Sequence, residues 1–206
     1  MIKNILFDMG GVIFTQNTPR ARERFRAAGV NPDIYMGDYG QKDFLFDLEA
    51  GKIDENQFIR RMAEVTGRPD LTRAEVQYCW DGFIEGVKPE KCQALEMLRK
   101  DYCLGMLSNT NPFVMEYMDN PANMPEGRGL SSYFDYMFLS YRMGLCKPSP
   151  EIYRMALKTG GMKADETIFI DDGPGNIEAA EKVGIHGLHI PTNADWLPLL
   201  LQMLGR

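Results

Sequence analysis

The sequence predicts an α/β fold: a doubly wound parallel sheet carrying a small, all-helical insert. Three observations predict it. Short runs at 2–7, 102–107, 136–139, 167–170 and 187–190 read as strands, several of them apolar on both faces, as in a parallel sheet covered on both sides. After residue 87 these runs alternate with helical stretches, the rhythm of a doubly wound sheet. Between about Pro19 and Gly86 the rhythm gives way to helices without a convincing strand. On this reading residues 1–15 and 87–206 form the α/β core. Residues 16–86 form a helical cap that leaves the sheet just after its first strand and is placed to fold over the strand's end.

The elements follow in order. Ile2-Lys3-Asn4-Ile5-Leu6-Phe7 is the first strand and ends on Asp8. In the insert, Arg20 to Ala28 is a polar amphipathic helix, and Asp43 to Ala50 is another, stopped by Gly51. Asp54 caps Glu55 to Thr66, where Phe58, Ile59, Met62 and Val65 recur at helical spacing, and Thr72 caps Arg73 to about Phe83. Pro89 opens a helix through Lys100. Asn111 to Met118 is helical, and Asn120 to Gly129, with two prolines and two glycines, is a loop. Pro150 to Thr159 and Asn176 to Val183 are the last two helices.

Composition sets limits. A chain of 206 residues with 44% hydrophobic and 25% charged residues can bury one large core, or a core plus an insert. The net charge of −6, without a basic run, argues against a nucleic-acid backbone as partner. No apolar stretch reaches membrane-spanning length, and Asp8 interrupts the opening apolar segment too early for a signal peptide. Cys79, Cys92, Cys103 and Cys146 are scattered, with no Cys-x-x-Cys pair. They read as reduced, packed thiols, and the chain as cytoplasmic.

The chemistry-bearing residues stand at strand ends. Asp8 closes the first strand and is followed by Met9-Gly10-Gly11-Val12. Ser108-Asn109 follows Leu104-Gly105-Met106-Leu107, Lys147-Pro148 follows the third strand, and Asp171-Asp172 follows Thr167-Ile168-Phe169-Ile170. The carboxyl ends of parallel strands are where an α/β protein builds a site. The set supplies a nucleophilic carboxylate, a hydroxyl, a cation and an acidic pair, an inventory suited to phosphoryl transfer through an aspartyl-phosphate.

The ordered set Asp8-Met9-Gly10-Gly11-Val12, Leu107-Ser108-Asn109-Thr110-Asn111, Lys147-Pro148 and Ile170-Asp171-Asp172 resembles the haloacid dehalogenase-like (HAD) hydrolase superfamily. The insert's placement resembles its C1-cap class, and Asp-Asp-Gly-Pro-Gly-Asn is most similar to a bacterial branch that includes glucose-1-phosphate phosphatase. The resemblance implies a Mg²⁺-dependent phosphatase of a small phosphorylated metabolite, a sugar phosphate favoured, with Asp8 as nucleophile. Ser108 and the Asn109 backbone N–H would bind a phosphoryl oxygen, and Lys147 would neutralise charge. Mg²⁺ would be held by Asp8, the Gly10 carbonyl and Asp172, with Asp171 acting behind them or through a water.

One position departs from the pattern. Most phosphatases of the superfamily carry a second Asp where Gly10 stands, and that residue moves the leaving group's proton. General acid–base help contributes about 10²–10⁴-fold, so turnover is slow here unless another residue or water substitutes. The branch resembled also shows Gly there. Two other readings stay open: a phospholigand-binding protein with little or no turnover, and a haloacid dehalogenase. The dehalogenase is disfavoured by Gly10 in place of Tyr and by the retained acidic pair. For the substrate's far end, the turn Glu49-Ala50-Gly51-Lys52 is expected to project toward the core, with Lys52 contacting sugar hydroxyls or a second anion. Taken alone, Lys52 after a helix-stopping glycine is a solvated charge. Trp80, Phe83 and Tyr78 read first as cap packing, with stacking on a sugar as the alternative. Asn176 either caps the following helix or orients the acidic pair, and the capping role is favoured. His186 and His189 read as structural.

Overall fold

Strand β1 (Asn4–Phe7) is buried at all four positions. Asp8 ends it, and Gly11 turns the chain at φ +72°, a conformation that favours glycine. A Cβ at Gly11 would also lie 2.6 Å from Asp172 Oδ2, so the turn and the acidic pair approach each other there. The chain leaves through β2 (Phe14–Gln16). The computed structural model describes residues 1–37 and 40–206.

Five helices follow. Helix α1 (Thr18–Ala27) is capped by Asn17, whose Oδ1 accepts from the Arg20 N–H at 2.9 Å. A single turn, α2 (Pro32–Tyr35), precedes α3 (Asp43–Glu49). Helix α4 (Glu55–Thr66) opens with a reciprocal Asp54–Gln57 capping box and ends on Gly67 in the left-handed region; α5 (Arg73–Asp81) opens with the same device from Thr72 and Glu75. Strand β3 (Ile84–Val87) then returns and pairs antiparallel with β2. The expectation of a strand-free insert needs that correction. Strands of three and four residues, one containing Gly86, carry too little period-two signal to be read. The aromatic rings Phe25, Phe44, Phe58 and Trp80 pack together between these helices. They share a continuous core with Ile5, Phe7 and Met106 of the sheet.

The rest alternates as expected: α6 (Pro89–Leu98), β4 (Cys103–Ser108), α7 (Pro112–Asp119), β5 (Tyr136–Leu139), a short α8 (Ser140–Met143), α9 (Pro150–Gly160), β6 (Thr167–Asp171), α10 (Pro174–Lys182), β7 (His186–His189) and α11 (Leu197–Met203). The five long-range strands form one parallel sheet in the order β5-β4-β1-β6-β7. Strand β1 is central, and the connections leave it in both directions, so its carboxyl end lies at a topological switch point. Its side chains alternate between two cores. Ile5 and Phe7 face the one shared with the insert. Leu6 faces a second, with Leu107, Ile152, Tyr153 and Phe169. Among the described residues no helix is long and apolar enough to cross a membrane.

Candidate active site

Strand register brings the predicted residues together. Phe7 lies opposite Met106 of β4 and Ile170 of β6, so Asp8 emerges level with Asp171, and its N–H donates to the Ile170 carbonyl at 2.9 Å. Lys147 arrives from the connection between α8 and α9. The Asn109 side chain fixes its backbone from both sides, donating to the Lys147 carbonyl at 2.9 Å and accepting from the Lys147 N–H at 2.8 Å. The Lys147 ammonium, on a side chain only 2% exposed, lies 2.8 Å from Asp8 Oδ1 and 2.5 Å from Asp171 Oδ2.

Asp171 is fully buried and fully occupied. Besides Lys147 it accepts from the Gly173 N–H at 2.7 Å and from Asn176 Nδ2 at 2.9 and 3.1 Å. Asn176 therefore orients the acidic pair and does not cap α10, which begins two residues earlier at Pro174. Asp172 turns the other way and accepts from Thr192 Oγ1 at 2.6 Å, while its carbonyl meets His189 Nε2 at 3.1 Å. Ser108 is buried at the end of β4, and among the described residues its hydroxyl makes one long, 3.4 Å contact, with the Asn109 carbonyl.

Charge is concentrated. Burial pushes the Asp8 carboxyl up to about 6; Lys147 opposes the rise, and Asp171 and Asp172 add to it. For Lys147, burial alone favours the neutral amine. The Asp171 and Asp8 carboxylates outweigh it and hold the ammonium above the ordinary lysine range. Asp172 is also raised, by burial first, with the Thr192 hydrogen bond opposing. Asp8, Asp171 and Asp172 each offer an oxygen within 4.8 Å of the others. Three carboxylates against one ammonium leave two negative charges when all are ionised, and a divalent cation would neutralise them.

A cavity of about 200 Å³ opens over this cluster. Its walls include Asp8, Ser108, Lys147 and Asp172 from the sheet end, and Met36, Glu49, Trp80 and Phe83 from the insert. Lys52 is not among them. It is exposed, pairs with Asp47 at 3.0 Å, lies over the Phe46 ring, and lines a separate surface groove with Ile53 and Tyr141. Of the turn Glu49-Ala50-Gly51-Lys52, the residue that lines the cavity is Glu49, whereas Gly51 and Lys52 line the outer groove. Glu49 as a residue is 8% exposed, and among the described residues its carboxyl has no hydrogen-bond or ion-pair partner. Burial pushes it up to about 8, the Asp8 charge adds to this, and Lys147 opposes it. Leu45, Leu48 and Glu49 stand at i, i+3 and i+4, so Glu49 falls on the apolar stripe of α3, a signal the sequence already contained. Trp80 stacks on Phe83 and crosses Phe25 edge-on, so both rings pack the insert as expected while also lining the cavity. Tyr78 is exposed beneath Arg24.

Two further residues were not legible beforehand. Thr192 reaches Asp172 from the loop after β7. Gln16 fills the space beside Gly10: a Cβ on Gly10 would lie 2.6 Å from Gln16 Oε1. Asn193 pins Gln16 by accepting from its N–H at 2.7 Å and donating to its carbonyl at 3.0 Å.

Known proteins resemble this chain in sequence and in fold. The sequence matches the haloacid dehalogenase-like hydrolase family over residues 2–184. It is 37% identical to a D-ribitol-5-phosphate phosphatase of Bacteroides thetaiotaomicron over 206 residues, covering the whole of both chains. The structure superposes on a HAD-like family hydrolase of Porphyromonas gingivalis with a TM-score of 0.94 at 37% identity, covering 100% of this chain and 99% of that one. A HAD family enzyme of Bacteroides thetaiotaomicron, solved as a mutant in complex with magnesium and inorganic phosphate, superposes at 0.90 with 28% identity, covering 97% and 99%. With its motifs gathered at one sheet end and full-length likeness on both counts, the chain belongs to the haloacid dehalogenase-like hydrolases.

Proposed function

We propose that this hydrolase is a Mg²⁺-dependent phosphomonoesterase of a small sugar or sugar-alcohol phosphate, working through an aspartyl-phosphate on Asp8. The observation that carries it is the contact of one buried ammonium, Lys147, with both Asp8 and Asp171 beneath a cavity that also holds Ser108 and Asp172. Asp8 attacks phosphorus in line. Ser108 and the Asn109 N–H bind a phosphoryl oxygen, and Lys147 stabilises the charge that the transferring group spreads over its oxygens. Asp171 holds Lys147 in place.

The residues fit Mg²⁺, which prefers oxygen ligands and keeps several waters. Asp8, the Gly10 carbonyl and Asp172 would hold it, with Asp171 behind them, and the ion would screen the incoming dianion from Asp8. Magnesium and phosphate bound in a structural relative support this choice. The polyol-phosphate activity of the full-length relative supports the substrate class. So do Gln41, Trp80 and Thr110, cavity-lining residues each with a buried polar atom lacking a partner among the described residues. Residues 16–86 act as the cap, and closure over the sheet end excludes bulk water during chemistry. Four free thiols suit a reducing compartment such as the cytoplasm.

Phosphate release from a panel of sugar and sugar-alcohol phosphates, with and without Mg²⁺, tests the proposal. Release that stops with EDTA and in Asp8→Asn is expected. Silence toward the whole panel would favour a phospholigand binder.

A further inference from the structure

We propose that Glu49 is the general acid that protonates the leaving oxygen, the role Gly10 cannot fill. The inference rests on the phosphatase reading. An alkyl or sugar phosphate departs as a strongly basic alkoxide unless a proton reaches it as the P–O bond breaks. In-line attack by Asp8 places that oxygen on the side of phosphorus away from Asp8, toward the insert. Among the described residues, Glu49 is the titratable side chain that the insert contributes to the cavity wall. The other ionisable groups lining it are engaged. Asp8 is the nucleophile, Lys147 is shared by Asp8 and Asp171, and Asp172 is bound to Thr192. Among the described residues that line the cavity, Glu49 is the ionisable one that is more than nine-tenths buried and whose carboxyl has no hydrogen-bond or ion-pair partner. Burial raises its carboxyl to about 8, with the Asp8 charge adding to the rise and Lys147 opposing it.

Its placement is built into the backbone. Gly51, at φ +67°, presses on the Tyr141 backbone so closely that a Cβ would collide with the Tyr141 carbonyl. The Cys146 thiol contacts the Glu49 carbonyl at 3.7 Å, tying the end of α3 to the residue next to Lys147. At the position a second Asp would need, the Gln16 amide stands instead, and an amide is no proton donor of useful acidity.

The step balances. An Asp8 oxygen forms a bond to phosphorus, the bond from phosphorus to the leaving oxygen breaks, and the Glu49 proton passes to that oxygen, releasing an alcohol and leaving Glu49 as carboxylate. Water then attacks the aspartyl-phosphate, its proton returns to Glu49, and inorganic phosphate leaves with Asp8 restored.

The test compares ethyl phosphate with 2,2,2-trifluoroethyl phosphate, which match in shape, lack hydroxyls to recognise, and differ in leaving-group basicity. In Glu49→Gln the kcat/KM ratio of trifluoroethyl to ethyl ester is expected to rise by about 10²-fold over wild type, the lower range of general-acid catalysis. An unchanged ratio in an active variant overturns the inference and leaves the phosphatase reading standing. No phosphate release by wild type from any ester overturns both. Should the variant fail to fold, the wild type decides: kcat/KM that varies little with leaving-group pKa across aryl and alkyl phosphates supports proton donation, and a steep decline overturns it.

Discussion

Lys147 sets the charge balance of the site. Its ammonium is the counter-charge for the fully buried Asp171 and the largely buried Asp8, and Asn109 holds the backbone that delivers it. Removing one partner of a buried ion pair strands the other, at about 3–5 kcal/mol. Lys147→Met is therefore expected to lose about that much stability in urea unfolding of the metal-free protein, whereas a loss below about 1 kcal/mol would mean the pair is well solvated. Asp8 should respond differently. Asp8→Asn relieves repulsion with Asp171 and Asp172, so its melting temperature is expected to equal or exceed wild type, while phosphate release falls by more than about 10³-fold. At this scale the sequence was informative wherever a polar residue closes an apolar strand: Asp8, Ser108 and Asp171 could be found because the strand supplies the frame. Thr192 and Gln16 could not, since they reach the site from short irregular segments whose paths only the tertiary fold decides. Glu49 lies between these cases: it is a carboxyl on an apolar helical stripe, but Lys52, three residues on, carries the more obvious charge for meeting an anion.

Helix α3 and its C-terminal turn set the distance between insert and sheet end. Gly51 and Gly67 both sit in the left-handed region, at φ +67° and +64°, but nothing lies within 4 Å of a Cβ on Gly67, whereas one on Gly51 meets the Tyr141 backbone. The pair separates strain from collision. Gly67→Ala is expected to cost about 1 kcal/mol with activity kept. Gly51→Ala is expected to cost clearly more and to lower kcat/KM, because neither the turn nor α8 can yield without moving Glu49. Equal effects in thermal unfolding and in turnover would show that the contact with α8 is slack. Elements with their own local signals were legible: α4 and α5 from their N-caps Asp54 and Thr72, and β5, whose bounds match the expectation. The β2–β3 ribbon, α2 and α8 were not, because three or four residues hold less than one clear period and take their form from what they pack against.

For the molecule as a whole, the site opposes folding as pH rises. Asp8 is raised from 3.8 to about 6 and Glu49 from 4.5 to about 8. Between roughly pH 4 and 8 the folded chain thus holds protons that the unfolded chain has released, and stability declines as pH increases through that window. The metal-free melting temperature is expected to fall from pH 5.5 to pH 8, and Glu49→Gln should flatten the upper part of the decline. A melting temperature that climbs over the same range would contradict this. A cation bound only by the folded state offsets the decline, by about 2.7 kcal/mol at a hundredfold excess over its Kd, so Mg²⁺ should raise the melting point most at high pH.

If four distant stretches surround one phosphoryl group and Asp8 accepts it, the phosphorylated enzyme can be trapped during turnover. The most direct measurement is mass spectrometry of enzyme quenched in acid during turnover with Mg²⁺ and digested at low pH. A phosphoryl group on the peptide containing Asp8, lost when Mg²⁺ is withheld and absent in Asp8→Asn, is the predicted result. Turnover that proceeds undiminished in Asp8→Asn, or a phosphoryl group trapped on any other residue, would contradict the account.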